Sequence, residues 1–201
     1  MKYTTLILIL VFSINVFGQD YNKKIRNLIG TFHTQNTTIN GISLGAFPPY
    51  NKSRFVKTNG IRLEVPGMGF LGFMGVGLIG TIIKDEIING INISTGTLGD
   101  VQYNGFTIAG VSQSGVGVDG VAISGLSSAM SNVSGVQISG LTNLSETCNG
   151  VQISFSNTSQ VMNGVQIGIF NKSKKTKGIQ IGLWNVNEKR KLPILNWNFK
   201  N

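Results

Sequence analysis

One cysteine, Cys148, and one histidine, His33, are all that this 201-residue chain carries of the side chains that most often build metal and nucleophilic sites. A lone histidine excludes a multi-histidine metal site and leaves one imidazole for any triad. A lone cysteine excludes an internal disulfide, so stability rests on packing and backbone hydrogen bonds. Cys148 shares its repeat offset with Val118 and Val133, which reads it as a small buried hydrophobe and not a nucleophile. Carboxylates pair only at Asp85-Glu86, neighbours that point apart on a strand. Acidic residues do not recur once per repeat, as a calcium-binding roll requires. Asn40 to Leu44 is a degenerate repeat start and not a phosphate loop. These absences point to a non-enzymatic protein with no metal and no cofactor.

Positive charge is missing from the middle. The formal net charge is +9, yet no Lys or Arg lies from Ile87 to Asn171. The cations sit at the two ends, with Lys172, Lys174, Lys175, Lys177, Lys189, Arg190 and Lys191 behind. That basic end reads as a solvated cap or as a contact for anionic lipid or lipopolysaccharide. Aromatic residues are not interleaved with it in a stacking pattern, so nucleic acid is not an expected partner.

What is present begins with an export signal. Lys2 precedes an unbroken apolar run from Leu6 to Phe12, and Val16-Phe17-Gly18 stands before a cleavage point at Gln19. Residues 1–18 therefore read as a secretory signal peptide, the run being too short to span a bilayer as a helix.

The remainder is dominated by one period. Glycine recurs at Gly60, Gly75, Gly90, Gly105, Gly120, Gly135, Gly150, Gly164 and Gly178, six steps of fifteen residues and then two of fourteen. A fixed short period is the mark of stacked units. With each glycine numbered zero, positions one and three are apolar, as in Val136 and Ile138 or Val151 and Ile153. Alternating β-branched residues predict a strand with one buried face, so these positions are expected to form the core. Position thirteen, as in Val118, Val133 and Cys148, predicts a second, weaker strand facing the same core. Position two then faces outward, and Gln137, Gln152, Gln166 and Gln180 form an amide ladder expected to be the interaction face. Asn or Asp before the glycine signals a tight turn. Gly110, Gly125 and Gly140 mark a shared corner.

The expected fold is all-β: a parallel β-solenoid, or β-roll, of 14–15-residue coils built as two short sheets. Its organisation is a signal peptide at 1–18, an N-terminal cap and first irregular coil at 19–59, the repeat solenoid at 60–185 and a C-terminal cap at 186–201. Tyr21 to Thr31 is expected as a short capping helix, and Pro48 to Lys52 as an insertion in the first coil. The Gly-rich run from Gly67 to Gly80 is apolar on both faces. A small antiparallel outer-membrane β-barrel is the alternative, although the clear alternation is shorter than a lipid-spanning strand requires.

The octets Gly164-Val-Gln-Ile-Gly-Ile-Phe-Asn171 and Gly178-Ile-Gln-Ile-Gly-Leu-Trp-Asn185, with the tail that begins at Asn187, resemble a family of bacterial surface repeat proteins. The resemblance covers roughly Asn89 to Phe199 and implies a surface location and repeat architecture. The coil length is also similar to that of trimeric-adhesin head repeats, without their coiled-coil stalk. The expected function is that of an exported protein of the bacterial cell surface, outer membrane or periplasm. Its expected role is structural or binding, and self-association is one expected mode.

Overall fold

The computed structural model describes residues 24–46, 54–67 and 83–199. The signal segment, the Pro48 to Lys52 insertion and all but the first residue of the Gly67 to Gly80 run lie outside the described residues.

The described residues form eleven strands: β1 (Lys24–Thr31), β2 (Thr37–Gly45), β3 (Val56–Glu64), β4 (Ile83–Ser94), β5 (Gly99–Ala109), β6 (Ser112–Ser124), β7 (Ser127–Ser139), β8 (Thr142–Ile153), β9 (Ser156–Ile167), β10 (Phe170–Val186) and β11 (Lys191–Asn198). They lie in one sheet in chain order. β1 to β10 run parallel, as a coil that climbs one strand per turn must, through about 9 turns some 15 residues apart. β11 folds back antiparallel on β10 and ends the stack. The architecture is a parallel β-solenoid. The antiparallel barrel is not formed, and the two short sheets of the sequence reading are one continuous sheet. The expected N-terminal helix is also corrected: Lys24–Thr31 pairs with β2 as a strand.

The glycine row sets the coil. Gly150 has φ +147, and a Cβ built there would lie 1.9 Å from the Gly135 carbonyl oxygen of the coil before it. No L side chain accepts both conditions. The bend does not interrupt the strand, since β8 runs from Thr142 through Gly150 to Ile153. Side chains therefore keep alternating across the glycine. Cys148 points inward, Asn149 outward, Val151 outward and Gln152 inward.

This parity overturns the expected core. Position one follows position thirteen at a step of three residues, an odd step, so a continuous strand puts them on opposite faces. Val118, Val133, Cys148 and Met162 are buried, while Ile153 and Ile167 are 36% and 39% exposed. The Asn-Gly step, expected as a tight turn, is a kink within a continuous strand and preserves the alternation.

What fills the interior is mainly polar. At position two, Ser43, Arg62, Asn92, Thr107, Ala122, Gln137, Gln152, Gln166, Gln180 and Asn196 are all fully buried. Gln152 Nε2 donates to Gln137 Oε1, Gln166 to Gln152 and Gln180 to Gln166, each at 2.8 Å. The other amide proton finds Ser145 Oγ from Gln152 and Ser159 Oγ from Gln166. A second inner ladder runs from Asn143 through Asn157 and Asn171 to Asn185 at 2.8–3.0 Å. Amides can occupy a dry interior because within each ladder one coil donates to the next at strand spacing, although Asn143 Oδ1, at the start of its ladder, is left without a partner. Asn196 of β11 donates to Gln180 Oε1 at 3.3 Å and closes the glutamine ladder.

Candidate interaction surface

With amides inside, the β-branched residues line the outside. The strand register joins Ile29, Ile42, Ile61, Ile91, Phe106, Val121, Val136, Val151, Val165, Ile179 and Trp197 into one row. Two residues on, Thr31, Leu44, Leu63, Ile93, Ile108, Ile123, Ile138, Ile153, Ile167, Ile181 and Leu195 form a second. Neither row contains a charged residue. Both cross all eleven strands, so the sheet carries an uninterrupted apolar stripe, which soluble monomers seldom expose.

One margin of the stripe is polar, mostly Asn, with Asp119 and Lys177 its charged members from β4 to β10. Asn40 donates to Asn27, Asn59 to Asn40, Asn89 to Asn59 and Asn104 to Asn89, at 2.7–3.1 Å, continuing outside what the Gln ladder does inside. The other margin is a corner that turns increasingly apolar towards the C-terminal end, with Leu141, Phe155, Phe170, Leu183 and Trp184 all exposed. There Gly168 and Gly182, which have no Cβ, open a trough of about 490 Å³ between Ile153, Ile167 and Ile181 on one side and Ile169, Leu183 and Ile194 on the other. The corner follows the sequence reading at Gly125 and Gly140, where a Cβ would lie 2.1 or 2.3 Å from the carbonyl oxygen of the coil before, but not at Gly110, where the nearest atom is 3.5 Å away.

The sequence-derived interaction face is corrected here. Gln137, Gln152, Gln166 and Gln180 do form a ladder, but its side chains are 0% exposed and present nothing to a partner. The stripe was legible as the same strand's alternate residues, assigned to the wrong side. The basic residues divide in two groups. Lys172, Lys174, Lys175 and Lys177 are exposed along β10, and Lys191 is exposed at the start of β11. Lys189 Nζ instead bonds Asn198 Oδ1, and Arg190 lies 4.4 Å over the Trp197 ring while donating to the Trp197 carbonyl. Glu188 Oε2 accepts from the Thr176 amide at 3.0 Å, so the two basic clusters do meet at one end of the rod.

The sequence reading missed a buried ionic cluster in the first coils. Arg62 donates Nε to Glu86 Oε1 at 2.7 Å, Nη2 to Glu86 Oε2 at 3.2 Å and Nη1 to Glu64 Oε2 at 2.8 Å. Its guanidinium lies 4.1 Å over the Phe32 ring, and Arg54 bonds the Phe32 carbonyl at 2.6 Å. Burial works against the charge on Arg62, but Glu86 and Glu64 outweigh it and raise its pKa. Without Arg62, Glu64 keeps the Thr97 hydroxyl and Glu86 keeps Arg54 at 3.8 Å, yet breaking such a buried pair costs about 3–5 kcal/mol. The signal was available: Arg62 and Glu64 stand two and four residues after Gly60, the offsets of Gln137 and Ser139 after Gly135. Beside the cluster, His33 stacks on Phe32, and burial followed by the Arg54 charge lowers its pKa. Burial pushes the Cys148 thiol up to about 12.

Comparison of the chain with protein-family models, curated proteins and solved structures finds no match.

Proposed function

We propose that this chain is a non-enzymatic, exported repeat protein of the bacterial envelope, a rod that works through its outer apolar face. The observation that supports this most strongly is the partition of its side chains. Hydrogen-bonded amides take the interior, while two rows of Ile, Val and Leu face outward along the whole sheet. A solenoid that stood alone in water would gain by the opposite arrangement, at about 25 cal/mol per Å² of apolar surface. The apolar face is therefore a working surface.

Export and envelope location rest on the signal-like residues 1–18 and on the resemblance of the Gly164 and Gly178 octets to bacterial surface repeat proteins. The exposed lysines of β10 favour an auxiliary contact with anionic lipid or lipopolysaccharide at the C-terminal end. Fractionation of a Gram-negative host expressing the chain tests the reading. The protein is expected in the envelope fraction, cleaved before Gln19 and released by carbonate or urea. Recovery in the cytosol with Met1 intact would contradict it.

A further inference from the structure

We infer that the apolar face is covered by a second copy of the same face, so that two rods pack sheet against sheet. The inference deepens the proposed function and rests on its reading of the outer rows as a working surface.

Size comes first. Eleven strands at about 4.8 Å spacing make a stripe about 48 Å long, and the two rows with the adjoining corner are about 12 Å wide. That is roughly 600 Å² per copy and roughly 1,200 Å² for a pair, which reaches the range of specific protein interfaces. It also stands at the top of what monomers leave exposed.

Charge then selects the occupant. A surface that lies in lipid headgroups surrounds its apolar part with Lys and Arg. From β4 onward to β9 the margin beside the stripe carries Asn89, Asn104, Asp119, Ser134, Asn149 and Asn163, with no cation. Over these six strands the margin carries one carboxylate and no cation, Lys177 following only on β10, and such a margin suits a protein face better than anionic headgroups. Repeat geometry supplies the match: a second copy presents β-branched rows at the same pitch, and sheets pack aligned at about 10 Å when such side chains interdigitate. A twofold pair needs one self-complementary patch, and an uncharged stripe of uniform composition is such a patch. Centred on β6, the axis brings Val121 and Ile123 opposite their own counterparts.

The test uses the purified full chain. Light scattering after gel filtration should give twice the mass of one chain. Ile138→Lys combined with Ile153→Lys should halve it with an unchanged far-UV circular dichroism spectrum, since both side chains face outward. Val121→Cys should cross-link to itself with a short bis-maleimide, whereas Glu146→Cys, exposed away from the stripe, should not. The buried Cys148 leaves these reactions to the introduced thiol. A single-chain mass for the unaltered protein, or a dimer that survives the paired lysines, overturns the inference. If the single chain instead binds neutral phosphatidylcholine vesicles and Ile138→Lys with Ile153→Lys abolishes that binding, the face belongs to lipid and the proposed function stands without this partner. A single chain that binds neither itself nor vesicles overturns both.

Discussion

Glycine and glutamine have opposite tolerances in this chain, and both follow from contact with the coil before. At Gly125 an added Cβ meets the Gly110 carbonyl oxygen at 2.1 Å, whereas at Gly110 the nearest atom is 3.5 Å away. Gly125→Ala should therefore lower the urea midpoint markedly, while Gly110→Ala should leave it nearly unchanged. Equal effects would show that the corner is not stacked in this register. Gln152→Ala strands the Gln137 acceptor and one Gln166 donor in a dry interior, a cost of about 2–4 kcal/mol. Ile153→Asp, next to it, changes an outward side chain and should cost the fold no more than about 1 kcal/mol. Denaturant titration of both variants checks the order. If Ile153→Asp unfolds the chain and Gln152→Ala does not, the side chains face the other way.

At the scale of the coil, the stack is held by neighbour contacts that repeat. Deleting Gly120 to Ser134, one full turn, places Gly105 to Asp119 directly beneath Gly135 to Asn149. Thr107 would then meet Gln137, and Val118 would meet Cys148, in the same inner rows. A repeat stack loses one interface and reseals. The shortened protein should keep its β spectrum and elute as a smaller folded species; collapse would contradict the stacking. The coil was readable in advance because Gly and its neighbours recur at fixed offsets, and stacking demands that repetition. Which side was inside was not readable that way. Val151 and Ile153 alternate with Gln152 whichever face is buried, so the pattern identifies two faces without ranking them. Hydrophobicity favoured the wrong one, because an isolated glutamine is costly to bury and only the ladder formed by successive coils removes the cost. The ionic cluster lay in the same blind spot. Arg62 occupies the offset of Gln152, and with position two assigned to solvent its charge carried no message.

For the whole molecule, the distribution of charge and apolar surface separates end from side. Lys172, Lys174, Lys175 and Lys177 are exposed at the terminal coil, next to the cluster that follows Glu188. Near a membrane each such cation contributes about 1 kcal/mol. Replacing the four with Gln should weaken binding to phosphatidylglycerol vesicles at low salt and reduce its salt dependence. No binding by the unaltered chain would reduce the cluster to a solubilising cap. The central claim is that the amides are inside and the aliphatic rows outside, and side-chain amide exchange measures this even when another chain covers the stripe. After transfer of the ¹⁵N-labelled protein to D2O, the side-chain signals of Gln152, Gln166 and Gln180 should persist long after that of the exposed Gln160 has vanished. Exchange of all four at the same fast rate would contradict the buried ladder, and with it the outward-facing apolar surface.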